Sequence, residues 1–261
     1  MIILKSLVTA FLMYSRIPMP RVEWRDENRR YALCFFPLIG AVIGGLFLLW
    51  RWFCGYAEIG VLLNAVVCTA IPILVTGGIH LDGFCDVSDA VSSCAERPRK
   101  LEILKDPHIG AFAAIKLAAY LLIQTALFAE LSAFRAELVA AVGFVMSRAL
   151  SGIAAVVFMN AKRRGSLWAF TEPAHRTVTL VVFGIITAVC AAAVVVISPL
   201  CGGAACVACA AAFISYRVYA YRQFGGVTGD TAGWFLQICE IFILAAAVIG
   251  EKLGGAVEWL W

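Results

Sequence analysis

The chain has 261 residues, 62% hydrophobic and only 15% charged, with a formal net charge of +4 and a mean hydropathy of +0.91. Soluble domains are about 45–50% apolar and about 25% charged, so this surplus of apolar surface excludes a water-soluble fold. It predicts an all-α, polytopic helical bundle in a lipid bilayer, forming a single transmembrane domain over residues 1–261.

The first segment, "MIILKSLVTAFLMYSRIPMP", has the look of a signal peptide, but Arg16 and two prolines follow its apolar part and no small-residue cleavage site is evident. It reads as retained. Its first fifteen residues carry Lys5 and are short for a span, which predicts an interfacial or re-entrant helix. A spanning helix needs about 20 apolar residues, and seven stretches qualify: 33–53, 59–79, 110–131, 138–159, 178–198, 203–221 and 232–250. The uncharged run from Thr177 to Tyr216 is too long for one span and is expected to turn at "SPLCGG".

Lysines and arginines mark the orientation. Arg16 to Arg30, Arg97 to Lys105, Lys162 to Arg176, and Arg217 with Arg222 place fifteen cations in one set of loops; the opposite set and the C-terminus hold Arg51, Arg135 and Lys252. By the positive-inside rule the N-terminus is cytoplasmic and the C-terminus outside. Active-site loops are expected on the cytoplasmic side at about 80–110, 160–177 and 222–231. A basic face suits anionic headgroups or phosphate-bearing substrates; nucleic acid is not an expected partner. Most of the ten cysteines lie in or beside apolar spans, where cysteine packs as a small hydrophobe. Cys85 and Cys94 with His80 match no common zinc spacing.

The chemistry concentrates in "GGIHLDGFCDVSDA", residues 77–90, directly after a span without a single charge. If residues 82–96 are helical, Asp82, Asp86 and Asp89 fall at i, i+4 and i+7 on one narrow stripe. Three like charges there repel. Either the stripe faces water, or a divalent cation such as Mg²⁺ or Mn²⁺ relieves the repulsion, which suits an all-oxygen ligand set. His80 is a helix cap, a structural histidine or a base. Gly77, Gly78 and Gly83 let backbone approach a ligand or ease helix packing. Arg97, Arg99, Lys100 and Lys105 follow closely, and metal plus cations is what a pyrophosphate needs. Asp106, ahead of Pro107 and His108, is a further ligand or an N-cap. Lys116 snorkels or reaches phosphate. Farther on, "FGGVTGDTAGWFLQICE" sets Asp230 at the mouth of the last span, with Glu240 some 15 Å deeper along a helix. A carboxylate at that depth is functional by default, or pairs with Arg148, the other buried charge.

These segments carry a family resemblance. "FLMYSRIPMP", "FFPLIGAVIG", "TGGIHLDGFCDVSDA", "ILKDPHIGAFA" and "GGVTGDTAGWFLQICE" resemble, in order and over the whole length, the motifs of the cobalamin synthase (adenosylcobinamide-GDP ribazoletransferase) family. Its core pattern is G-G-x-H-x-D-G-x-x-D-x-x-D-[AG], and every aspartate is present. Ala111 stands where Ser or Thr is usual, Ala113 where Gly is usual, Trp234 where Ala is usual and Gln237 where a Glu is expected in many relatives. The resemblance implies a membrane enzyme of the bacterial inner membrane that joins α-ribazole or its 5′-phosphate to adenosylcobinamide-GDP. Its products are adenosylcobalamin or its 5′-phosphate, with release of GMP and use of Mg²⁺. It implies metal ligands at Asp82, Asp86, Asp89 and Asp230. Asp89 is the expected base, by analogy with the terminal aspartate of the CDP-alcohol phosphotransferases. The oligomeric state, monomer or homo-oligomer, is left open. Two rivals are an ion-coupled transporter using Asp82 and Glu240, and a lipid synthase of the CDP-alcohol type; the latter's D-G-x-x-A-R motif is absent here.

Overall fold

The structure, a computed structural model, describes residues 2–162 and 165–258. Arg163 and Arg164, counted above among the loop cations, lie outside the described residues. The described residues form helices and no strand; the one β-bridge, isolated, pairs Asn160 with Val227. Twelve α-helices follow in order: α1 Ile2–Tyr14, α2 Asp26–Arg29, α3 Phe36–Tyr56, α4 Val61–Thr76, α5 Ile79–Ser92, α6 Arg97–Ile103, α7 Ala111–Glu130, α8 Phe134–Val157, α9 Ser166–Thr171, α10 Arg176–Ile197, α11 Pro199–Phe224 and α12 Gly229–Glu258. Among the described residues six are long and apolar enough to cross a membrane, and α4 with α5 makes a seventh only if the bent pair is counted as one span. The polytopic bundle expected from composition is the fold observed. Its outer surface is apolar, with Leu49, Trp52, Leu62, Leu122, Val196 and Val207 all exposed.

The helix ends sort into two levels. At one, Arg51 of α3 is hydrogen-bonded to Glu137 of α8, Lys252 of α12 pairs with Glu130 of α7, and the Ala133 amide donates to Glu251 at 3.0 Å. The opposite level gathers the start of α3, all of α5 and α6, the start of α7, the end of α8, and the α11–α12 turn. This is the aspartate end. Helix α8 is the hub, packing on α3, α10 and α12, and its interior is filled by side chains such as Phe47, Phe144 and Phe235.

Two elements depart from their expected course. The span predicted over 59–79 stops at Thr76, and the chain turns by 95° into α5. Gly77 and Gly78 both adopt the left-handed region, φ +67° and +80°, which ends α4 and redirects the chain at small cost only because neither has a side chain. The aspartate helix therefore starts at Ile79 rather than 82, and it ends at Ser92, well before Pro98. At "SPLCGG" the turn is Ser198 alone, whose hydroxyl accepts from the Cys201 amide at 3.4 Å. Pro199 opens α11, where its missing N–H costs nothing. The glycines sit inside α11, and Gly202 packs on the backbone of Val194.

Candidate active site

Helix α5 lies directly on the first turns of α12. Gly83 faces the backbone of Asp230, and Gly233 faces the backbone of His80. A Cβ on Gly83 would come within 2.7 Å of the Asp230 carbonyl oxygen and 3.0 Å of its Cα. Both are backbone atoms, so one helix would have to move. Gly→Ala within a helix normally gains about 1 kcal/mol in propensity. Here Gly83→Ala is expected to lose about 1–3 kcal/mol by overpacking, seen as a lowered thermal midpoint in detergent. An unchanged or raised midpoint would show that the two helices are not in this contact.

The start of α12 is fixed by reciprocal caps. The Thr228 amide donates to Thr231 Oγ1 at 2.8 Å, and the Thr231 amide donates to Thr228 Oγ1 at 3.1 Å. This explains the T-G-D-T order: two orphan amides are satisfied and Asp230 is held between them. The α8–α9 connection is pinned to the same turn, with Val227 N donating to Met159 O at 2.8 Å and Ala161 N donating to Val227 O at 2.9 Å.

Three cavities meet around these carboxylates. The first, about 260 Å³, lies between α1, α3, α5, α8 and α12; Asp82 and Asp230 line it with His80, and Tyr14, Phe36 and Leu236 make its apolar wall. Beyond Asp230 a second cavity of about 260 Å³ is lined by Lys105, Lys162, Asn160, Trp168 and Thr228. Beyond Asp82 a third, about 570 Å³, runs past Arg16, Gly77, Gly78 and Cys85.

The sequence-predicted residues divide sharply. Asp82 is exposed and lines the first and third cavities; Asp86 is half-buried, within electrostatic reach of Asp82, Asp230 and Asp89. Asp89 does something else: its oxygens accept the amides of Gly110 at 2.5 Å and Ala113 at 2.9 Å, so it caps α7 from another helix. Asp89→Ala is expected to destabilise the protein by about 1–2 kcal/mol, the cost of a lost charged N-cap, read as a lower unfolding temperature. No change would mean that α7 is held by other contacts. His80 is buried, its ring edge-on to Phe36 at 5.8 Å.

Of the four expected phosphate cations, three are engaged elsewhere. Arg97 donates to the Arg222 carbonyl, Lys100 to Gln223 at 2.6 Å, and Arg99 pairs with exposed Glu102. Lys105 alone of the four lines a cavity beside Asp230. Asp106 accepts from the His108 amide at 3.0 Å and from its ring at 2.8 Å, both residues exposed. Those bonds hold its carboxyl below the usual range and make a local turn. Gly77 and Gly78 line the third cavity, where the Arg16 side chain occupies the space beside Gly77. Lys116 donates to Ser92 at 2.8 Å. Arg148 and Glu240 form a buried pair at 2.7 Å, and the Arg148 guanidinium lies 5.9 Å from the Phe36 ring, beneath the apolar wall of the first cavity. The transporter reading loses its free deep carboxylate. Gln237 lies near that pair, beside His80 and Arg148, and Trp234 stacks on Tyr219 at 4.5 Å.

Sequence reasoning missed Lys162, Arg16 and Tyr14 as site residues. Lys162 sits in the run "KRR" of the loop expected at 160–177, where its sequence does not set it apart from the other loop cations. In the structure burial, first, and the neighbouring Lys105 hold its ammonium below the usual lysine range, with Asp230 pulling the other way.

Among the described residues no three His, Cys, Asp or Glu side chains converge into a ready metal cage. The donor chemistry nonetheless fits Mg²⁺, which usually keeps several waters and takes only one or two carboxylates plus substrate phosphates. Asp82 and Asp230 line one cavity and would supply such a pair, with Asp86 within electrostatic reach of both.

The comparisons agree along the chain. A family model described as cobalamin-5-phosphate synthase matches residues 6–248. A protein of Lachnoclostridium phytofermentans named adenosylcobinamide-GDP ribazoletransferase is 44% identical over 251 residues, 95% of each chain. Proteins of the same name from Clostridium botulinum and Clostridium perfringens are each 29% identical, over 94% and 90% of this chain and 97% and 94% of their own. No solved structure matches.

Proposed function

This chain belongs to the cobalamin-5-phosphate synthase family of membrane enzymes, and from that premise we propose that it is a Mg²⁺-dependent transferase in coenzyme B12 biosynthesis. It joins α-ribazole or its 5′-phosphate to adenosylcobinamide-GDP and releases GMP at the cytoplasmic face of a bacterial inner membrane. The observation that carries the reading is the meeting of two helices. Gly83 and Gly233 bring Asp82 and Asp86 of α5 against Asp230 of α12, at a cavity with one polar rim and an apolar wall.

The reaction exchanges one phosphoryl bond for another. A ribazole hydroxyl oxygen bonds to the cobinamide-side phosphorus, the bridging P–O bond to GMP breaks, and GMP leaves with the electron pair. Bound Mg²⁺ would neutralise the pyrophosphate and the departing phosphate. Asp82 and Asp230 would hold it. Lys105 adds charge on the leaving side. Asp86 takes the hydroxyl proton: it accepts no hydrogen bond among the described residues, whereas both oxygens of Asp89, the base expected from sequence, are tied to α7. The apolar wall keeps water from competing as the acceptor. The orientation rests on the cation bias of the loops, fifteen against three.

The test is GMP release by detergent-purified protein given adenosylcobinamide-GDP and α-ribazole 5′-phosphate. Turnover with Mg²⁺ and its loss in EDTA, restored by added Mg²⁺, is the expected result. No release by well-folded protein would remove the assignment; release unaffected by EDTA would remove the metal.

A further inference from the structure

We propose that the cavity beyond Asp230 is the pocket for the nucleotide leaving group, a purine nucleoside 5′-phosphate, held by Lys162 and stacked on Trp168. This rests on the transferase reading above and adds to it where one substrate half sits.

The three cavities differ in chemistry. Among the described residues, the first has no lysine or arginine in its lining and is walled by Tyr14, Phe36 and aliphatic side chains. The third has Arg16 among mostly aliphatic residues. Of the three, among the described residues, only the second combines two ammonium groups, Lys105 and Lys162, with an indole, Trp168, and the polar side chains of Asn160 and Thr228. A nucleoside phosphate asks for that set: cations for the phosphate and an aromatic face for the base.

Lys162 is positioned in advance. Its ammonium donates to the Leu101 carbonyl at 2.8 Å, which leaves two of its three N–H groups for a ligand. The connection that carries it is pinned to the α12 turn through Met159 and Ala161. Lys105 and Lys162 stand close enough to repel, and a bound phosphate removes that repulsion.

The placement also fits the reaction geometry. In phosphoryl transfer the attacking and leaving oxygens lie roughly in line on opposite sides of phosphorus. The first and second cavities lie on either side of Gly229 and Asp230, which line both. With the nucleotide in the cationic cavity, the apolar one receives the flat, uncharged base of the ribazole, and the phosphorus lies beside Asp230.

The experiment is equilibrium dialysis of GMP with Mg²⁺ against the full chain in lipid nanodiscs, beside the GMP-release assay. Saturable binding is expected. Lys162→Ala and Trp168→Ala should each weaken it at least about tenfold, Lys162→Arg should keep most of it, and α-ribazole should not displace GMP. Wild-type protein that releases GMP while both alanine variants bind GMP within twofold of it would overturn the pocket and leave the enzyme reading intact. So would release without saturable binding, or displacement by α-ribazole. GMP binding that depends on Lys162 and Trp168, in protein that releases none from adenosylcobinamide-GDP, would keep a nucleotide site and remove the enzyme reading. Neither binding nor release would remove both.

Discussion

Asp82→Ala is expected to cut Mg²⁺-dependent GMP release by about 10²–10³-fold while leaving the thermal midpoint unchanged or slightly raised. The two halves of this result have different causes. Asp82 is exposed and its carboxylate makes no hydrogen bond or ion pair among the described residues. It stands in a row of like charges with Asp86, so truncation removes repulsion and costs no packing. Surface changes of that kind stay within about 0.5 kcal/mol. Yet Asp82 is the carboxylate shared by the first and third cavities, the place where a pyrophosphate reaching past Asp230 would meet its metal. A group that contributes nothing to folding and much to turnover is a functional carboxylate. Asp82→Asn should behave almost alike, because the amide keeps the shape and loses the charge. Activity within tenfold of wild type in both variants would move the metal to Asp86 and Asp230. A large fall in the midpoint would mean that Asp82 has a structural partner after all.

Comparing Asp82 with Asp89 shows what a sequence can disclose here. The i, i+4, i+7 stripe is readable from spacing, and the helix that carries it is present. What each aspartate meets is not readable, because the partners come from elements far along the chain. Asp89 finds amides 21 and 24 residues on, whereas Asp82 and Asp86 find Asp230 through a glycine-to-backbone crossing. The spans were legible because a bilayer demands about 20 apolar residues of any helix that crosses it. The 95° break after Thr76 was not. "GG" licenses a left-handed turn without requiring one, and an apolar run looks the same bent or straight. Among the basic residues the loss is greater. Arg97, Lys100, Lys105 and Lys162 are alike as cations in a loop. Tertiary contacts turn the first two toward α11 as braces for α6, while Lys105 and Lys162 line a cavity, Lys162 holding the Leu101 carbonyl of α6 as well.

The deepest charges make the opposite case to Asp82. Arg148 and Glu240 are paired at 2.7 Å with side-chain exposures of 1% and 4%. Ser147 donates to the same carboxylate at 3.1 Å, and Arg148 also donates to the Phe144 carbonyl at 2.8 Å. Removing one partner strands the other charge, so Glu240→Ala is expected to cost about 3–5 kcal/mol. That would appear as a loss of monodisperse protein after heating in detergent at temperatures the wild type survives. Replacing both is a different matter. Desolvating two charges already offsets most of their attraction, and the Arg148 Nε has no partner within the described residues. The double variant Arg148→Met/Glu240→Leu is therefore expected to recover most of the lost stability. Neither residue lines the first or the second cavity. If the pair only fastens α8 to α12, the double variant should also turn over within about tenfold of wild type, since a residue outside the cavity lining acts there only through position. Recovered stability with turnover still abolished would mean that this pair serves the reaction from below the site, and would return Glu240 to the functional residues.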